Sequence, residues 1–259
     1  MVDRSRVYST EAVVLRHSDF GEADRLLTVY TPELGKLRLL AKGIRKPRSR
    51  KAGHLELFTR SQLLVARGRN LDMVTQAQTI EAYRALRLDL WRMSHAYYIG
   101  ELVDNFGEEQ AENAPLYLLL SQALDWICAS TDLPLTMRFF ELSLLKLVGY
   151  QPQLFQCVRC LAPLLPVVNF FSAEDGGMLC PACAEGRGGA RAISVGALKV
   201  LRYLQTRPYA DCMLLKLQPA TRLEVEQVLQ AYLVYLLERR LKSVEFMRLV
   251  RNGAQALYP

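Results

Sequence analysis

The hydrophobic pattern of the chain changes period once, near Glu81, and that break decides what it can fold into. Before it, strand-like runs cover Glu11 to His17, Arg25 to Thr31 and Lys36 to Ala41, joined by the turn-rich segments SDFGEAD and TPELG. Gln62 to Ala66 and Met73 to Ala77 make two more, with Gly68 to Asn70 as a hairpin turn. Five short strands in about 70 residues need a second layer or closure, so a small barrel of the OB or SH3 type is the natural solution. The OB reading fits best, and its open face is a common platform for single-stranded nucleic acid.

After Glu81 the texture is helical. Leu86 to Asn105 is periodic and ends before Gly107, and Asn113 with Pro115 opens a helix that runs to about Ala129. Leu135 to Val148 follows, stopped by Gly149, and helix resumes at Ser194 to Gln205 and after Thr221, where Thr221 and Glu224 read as a capping box. The tail from Val244 is weakly apolar. The expected architecture is α+β and multidomain: a barrel over residues 1–81, a helical domain over 82–149 and 192–259, and a cysteine-bearing zinc-finger insertion over 150–191.

That insertion holds Cys157-Val-Arg-Cys160 and Cys180-Pro-Ala-Cys183, two CxxC pairs with nineteen residues between them. Each pair can sit on a tight knuckle, and four thiolates close a tetrahedron around zinc. A catalytic zinc keeps a position open for water, so a filled set of four cysteines reads as one structural zinc ion; a metal-free knuckle is the alternative. Cys128, beside Trp126 and Ile127, reads as a core thiol. His17, His54 and His95 show no paired metal motif, and no GxSxG or GxxxxGK[ST] motif is present, so the chain does not read as an enzyme.

Charge singles out the barrel. Met1 to Ile80 carries 15 basic against 8 acidic residues, while Glu81 to Pro259 carries 18 of each. The densest stretch is KGIRKPRSRK, with Lys42, Arg45, Lys46, Arg48, Arg50 and Lys51 and no acid. Gly43, Pro47 and Gly53 interrupt it, so it reads as a mobile connection between strands and not as a helix face. A solvated basic loop is the plain alternative, but such an arm suits a phosphate backbone, where each neutralised phosphate releases counterions. Tyr8, Phe20, Tyr30 and Phe58 are stacking candidates if they face the groove, and barrel core or rim otherwise. The segment MVDRSRVYSTEAVVLRHSDF has no apolar stretch suited to a signal peptide. The most apolar window, Pro115 to Ser130, contains Gln122 and Asp125 and falls short of a membrane span. A cytoplasmic location without membrane contact is the expectation.

The stretch from Ala12 to Lys51 resembles the N-terminal segment of RecO, the bacterial recombination mediator family. The likeness rests on Gly21-Glu22-Ala23-Asp24-Arg25-Leu26, Thr31-Pro32-Glu33-Leu34-Gly35, the Ala41-Lys42-Gly43 step into the basic arm, Leu57-Phe58 and the Gly68 turn. Beyond Glu81 the layout, helices interrupted by a CxxC…CxxC knuckle, is similar to the zinc-bearing members. The resemblance implies an OB-fold domain, binding to single- and double-stranded DNA and annealing of complementary strands. It further implies RecA loading, with RecR, on DNA coated by single-strand-binding protein (SSB), whose acidic C-terminal tail the family contacts. It implies DNA contacts by Lys42, Arg45, Lys46, Arg48, Arg50 and Lys51, helped by Arg25, Lys36 and Arg38, in a nucleoid-associated protein. Two other readings stand beside it. One is an RNA- or ribosome-associated OB and zinc-knuckle protein; the other is a metal-dependent nuclease, for which the barrel offers only Asp19, Glu22 and Asp24.

Overall fold

A computed structural model describes residues 6–257; the first five and the last two residues of the expected domains lie outside the described residues. Strands β1 (Val7–Phe20), β2 (Asp24–Thr31), β3 (Gly35–Ala41), β4 (Arg60–Ala66) and β5 (Asp72–Glu81) form a closed barrel in the order β1-β2-β3-β5-β4. The OB-like barrel expected from the turn spacing is thus present. Alternation supplies its core: Ala12, Val14, Leu27, Val29, Leu37, Leu39, Ala41, Leu63, Val65 and Val74 are buried together. β1 runs further than its apolar run because it pairs twice, its first half with β4 from Val7 opposite Ala66 and its second half with β2 as far as Phe20 opposite Asp24.

The connection from β3 to β4 carries the basic run, and it is tethered where a mobile arm was expected. Ile44 and Leu55 are buried in the barrel core. The Gly43 N–H donates to Oδ1 of Asp24 at 2.7 Å and the Arg45 N–H to the carbonyl of Ala23 at 2.9 Å. Two apolar residues dispersed among cations give no periodic signal, so a reading of charge and glycine content passes over them.

Helices α1 (Arg84–Leu88), α2 (Leu90–Phe106) and α3 (Ala114–Ala129) follow. The single helix expected from Leu86 is two, because Asp89 is extended and its carboxylate accepts the N–H groups of Trp91 and Arg92, capping α2. Tyr30 and Phe58 are fully buried, so neither can stack on a base. A Cβ on Gly107 would lie 2.6 Å from the Tyr30 ring and one on Gly100 2.8 Å from that of Phe58, so both rings fill the seam between the barrel and α2.

The rest comprises α4 (Leu133–Leu147), β6 (Asn169–Ser172), β7 (Gly177–Leu179), α5 (Pro181–Ala184), β8 (Arg191–Ile193), α6 (Val195–Thr206), α7 (Tyr209–Cys212), α8 (Pro219–Leu237) and α9 (Lys242–Leu257). β6 is the central strand of a small sheet, flanked by β7 and β8. The expected capping box does not form. Proline starts α8 at Pro219, which leaves Thr221 inside the helix, and Glu224 instead accepts the N–H and hydroxyl of Ser194, both at 2.6 Å. Ser194 is itself the cap of α6, so Glu224 ties the start of α6 to α8. Glu224→Ala is expected to cost about 1–3 kcal/mol, read as a shift in urea midpoint with unchanged slope.

Two compact units result. One holds the chain through Ala129 together with the chain from Lys242, and the other spans Ser130–Leu241. Within the first, Glu101 of α2 accepts the N–H groups of Lys242 and Ser243 at 3.0 and 2.8 Å, and Tyr97 meets Phe246 edge-on at 5.8 Å. Glu81 marks the change of secondary structure, whereas α1 to α3 share a compact unit with the barrel because α2 covers its outer face.

Candidate nucleic-acid interface and metal site

The register of β1, β2 and β3 sets Arg16, Thr28 and Arg38 in one row across the barrel exterior, with both arginines exposed. Ser18, Leu26 and Leu40 form the next row. Arg16 was absent from the residues expected to bind. Its signal lies in pairing, since the irregularity between Val14 and Arg16 decides which face it takes, and single-strand alternation does not contain that. At the β4–β5 turn, Arg67 and Arg69 are exposed. The Arg67 guanidinium lies over the Tyr8 ring, 5.0 Å from its centre, and Tyr8 donates to Oδ2 of Asp72 at 2.9 Å. The other Asp72 oxygen accepts the Gly68 N–H at 3.0 Å, which organises the turn. Burial, with the bond to Asp72, pushes the Tyr8 phenol well above its usual range.

The nine expected DNA-binding cations fall into two groups. Arg38, Lys42, Lys46, Arg48 and Arg50 are exposed and form no ion pair among the described residues. The other four have protein partners. Lys36 donates to the carbonyl of Asp104 at 2.6 Å and is 14% exposed, so its ammonium ties β3 to α2. Lys51 donates to the carbonyl of Val74 at 2.9 Å, and burial lowers its pKa. Arg25 and Arg45 both engage Asp19. Of the stacking candidates, Phe20 at the β1–β2 turn is 55% exposed and Tyr8 is half-buried. Asp24, considered above as a metal ligand for a nuclease, accepts a backbone N–H instead, and Asp19 is held between arginines.

The four cysteines of the insertion converge. All four Sγ atoms lie within 4.8 Å of one another, and those of Cys160 and Cys180 are 3.8 Å apart. Two turns bring them there. The Leu161 N–H returns to the carbonyl of Cys157 at 3.0 Å, with Leu161 in the left-handed region, and the Cys183 and Ala184 N–H groups return to that of Cys180. Zinc–sulfur bonds of about 2.3 Å imply a tetrahedral edge of about 3.8 Å, so the spacing and the donor set fit a tetrahedral thiolate-binding ion. Burial opposes ionisation of Cys157, yet the N–H groups of Cys160, Cys180 and Arg159 and the Cys160 thiol pull it down to about 6. Hydrogen bonding to the Cys180, Cys160 and Cys157 thiols pushes Cys183 up to about 12.

Around these sulfurs, Cys157, Leu179 and Ala184 are the buried members of a small apolar cluster. Gly177 is required beside them, because a Cβ there would meet the Gln153 carbonyl at 2.6 Å and Val158 at 2.7 Å. Arg159 and Arg187 both pair with Asp175, which leaves them engaged within the insertion. Cys128 and Cys212 stand apart, and burial pushes the latter up to about 11. No helix among the described residues is long and apolar enough to cross a membrane.

Comparison with known proteins agrees with this layout. Residues 5–83 match the model of a family described as Recombination protein O N terminal, and residues 87–245 that described as Recombination protein O C terminal. A relative from Roseiflexus sp. strain RS-1, named DNA repair protein RecO, is 48% identical over 256 residues, covering 99% of this chain and 90% of its own length. Proteins of the same name from Pelotomaculum thermopropionicum and Dehalococcoides mccartyi strain 195 are 38% and 37% identical, over 93% and 92% of this chain and 94% and 93% of theirs.

Proposed function

Because the chain belongs to the RecO family of DNA repair proteins, we propose that it is a DNA-binding recombination mediator whose barrel unit grips the phosphate backbone. The observation that carries this reading is the set of five exposed cations, Arg38, Lys42, Lys46, Arg48 and Arg50, on β3 and the connection that follows it, which form no ion pair among the described residues. Lys51 and Lys36 shape that surface from partly buried positions, and Arg16 adds to it. The protein binds single- and double-stranded DNA in the cytoplasm, at the nucleoid.

The mechanism needs no bond chemistry and no catalytic residue. Two complementary strands repel each other as polyanions, and a surface that neutralises phosphates on both lowers that barrier while the bases select their partners. With RecR, the protein then promotes RecA loading on SSB-coated DNA, competing for the DNA and for the acidic SSB tail by mass action. Zinc is the proposed occupant of Cys157, Cys160, Cys180 and Cys183. With all four positions filled by thiolates it would supply structural closure. The proposed domain roles keep the barrel of residues 1–81 for DNA and the insertion of 150–191 as a metal-stapled knuckle in the helical remainder.

Annealing of complementary oligonucleotides tests the first part. The expected result is acceleration at low salt that disappears at high salt; a rate equal to that of the bare strands at every salt concentration would remove this reading. Capture of RecR and of an SSB-tail peptide by the full chain tests the second.

A further inference from the structure

Asp19, at the end of the β1–β2 hairpin, binds two arginines at once. Its Oδ1 lies 3.3 Å from Nε of Arg25, and its Oδ2 lies 3.3 Å from Nη1 of Arg45. Arg25 stands opposite Asp19 in the β1–β2 ladder. Arg45 is brought alongside by the bond from its own N–H to the carbonyl of Ala23. Glu56 holds Arg25 from another side, at 3.7 Å. Two positive and two negative side chains leave the group electrically neutral, although Asp19 is 56% exposed and Arg45 39% exposed.

Two guanidinium groups converging on the two oxygens of one carboxylate form a receptor that a phosphodiester also satisfies, through its two non-bridging oxygens. The carboxylate that fills it is exposed at the end of β1, where ion pairs are weak and exchange readily. Lys46, Arg48 and Arg50 follow Arg45 in the chain, and Lys42 precedes it. A strand attracted by those four cations therefore arrives next to the Asp19 pair. Charge in the neighbourhood draws the strand in; the pair itself, being neutral, contributes only after exchange.

We propose that Arg25 and Arg45 form a phosphate subsite which the protein keeps filled with its own Asp19, and that a DNA phosphate displaces this carboxylate on binding. The proposal rests on the DNA-binding reading above and adds an internal competitor to it. Asp19 sets the threshold at which the subsite engages. A phosphate presented in a backbone, already held by neighbouring contacts, exchanges with it, whereas a free anion must compete with a tethered carboxylate at high effective concentration.

Duplex-DNA titrations across a salt series test this. Asp19→Asn is expected to tighten binding about fivefold and to steepen the log–log salt slope by about 0.9. Asp19→Ser, which removes the carbonyl that asparagine could still offer to arginine, should do the same. Glu22→Gln removes an equal charge from the turn that follows β1 without touching either arginine, and should change affinity by less than about twofold. In an Arg25→Gln/Arg45→Gln background, Asp19→Asn should have no effect. An equal gain from Glu22→Gln, a gain that survives loss of both arginines, or no gain from either Asp19 variant would overturn the proposal. If the wild-type chain binds no DNA, the functional reading falls with it; if it binds DNA and Asp19 is indifferent, this proposal falls alone.

Discussion

Replacing Lys42, Lys46, Arg48 and Arg50 together by glutamine is expected to weaken duplex-DNA binding on the order of 10²–10³-fold near physiological salt, and to reduce the log–log salt slope by about 0.9 for each lost phosphate contact. All four are exposed and form no ion pair among the described residues, so their positive charge is uncompensated locally. The same exposure makes the substitution benign for the fold, with an expected stability change within about 0.5 kcal/mol per position. Binding isotherms at four salt concentrations, with thermal melts of the free protein, separate the two effects. A loss of affinity with the slope unchanged would place these residues outside the contact surface, and unchanged affinity would mean that the attraction comes from elsewhere. Arg45 is left out of the set because its charge is already matched by Asp19.

The second large effect is expected at the cysteines. Elemental analysis of the reduced protein should find about one zinc per chain, and Cys157→Ser should lose it. Structural zinc contributes roughly 10–16 kcal/mol to small metal-dependent domains. The knuckle around the sulfurs has little to set against that loss, since the buried members of its cluster are Cys157, Leu179 and Ala184. Hydrogen exchange over β6 and β7 should therefore accelerate strongly in the variant or after chelation, and the melting temperature should fall. Duplex binding should change little, because the exposed cations lie in the other compact unit. A metal-free wild type with protected strands would overturn the zinc assignment. Loss of DNA binding with the fold retained would overturn the division of roles.

Much of this arrangement could be read from residue order, and what could not has identifiable causes. Strand and turn spacing led to five strands and a barrel, because turn residues between alternating runs leave few topologies open. The cysteine set was legible because a metal knuckle is a local motif. Charge alone, however, does not show partners: Lys36 and Lys51 looked like their neighbours until the structure gave them backbone carbonyls to bond. Arg16 joined Arg38 only through register, and Tyr30 and Phe58 became core only once α2 lay over them. Glu224 had the spacing of a cap and became one, but for Ser194, thirty positions earlier. Each of these is a long-range contact, which propensity and periodicity do not encode, whereas the Asp89 cap that divides α1 from α2 is a local signal that the reading of periodicity passed over.

The helix α9, held to α2 through Glu101 and Phe246, has a consequence for how the protein is made. Its partner α2 is complete at Phe106, but Lys242 emerges from the ribosome 136 residues later. At about 5–20 residues per second that interval is roughly 7 to 27 s. During it the nascent barrel unit stands unfinished while the whole of the second unit is being synthesised. A premature stop late in the coding sequence would thus damage the first unit translated, leaving Glu101 without the helix end it caps and Tyr97 with the Phe58 ring but without that of Phe246.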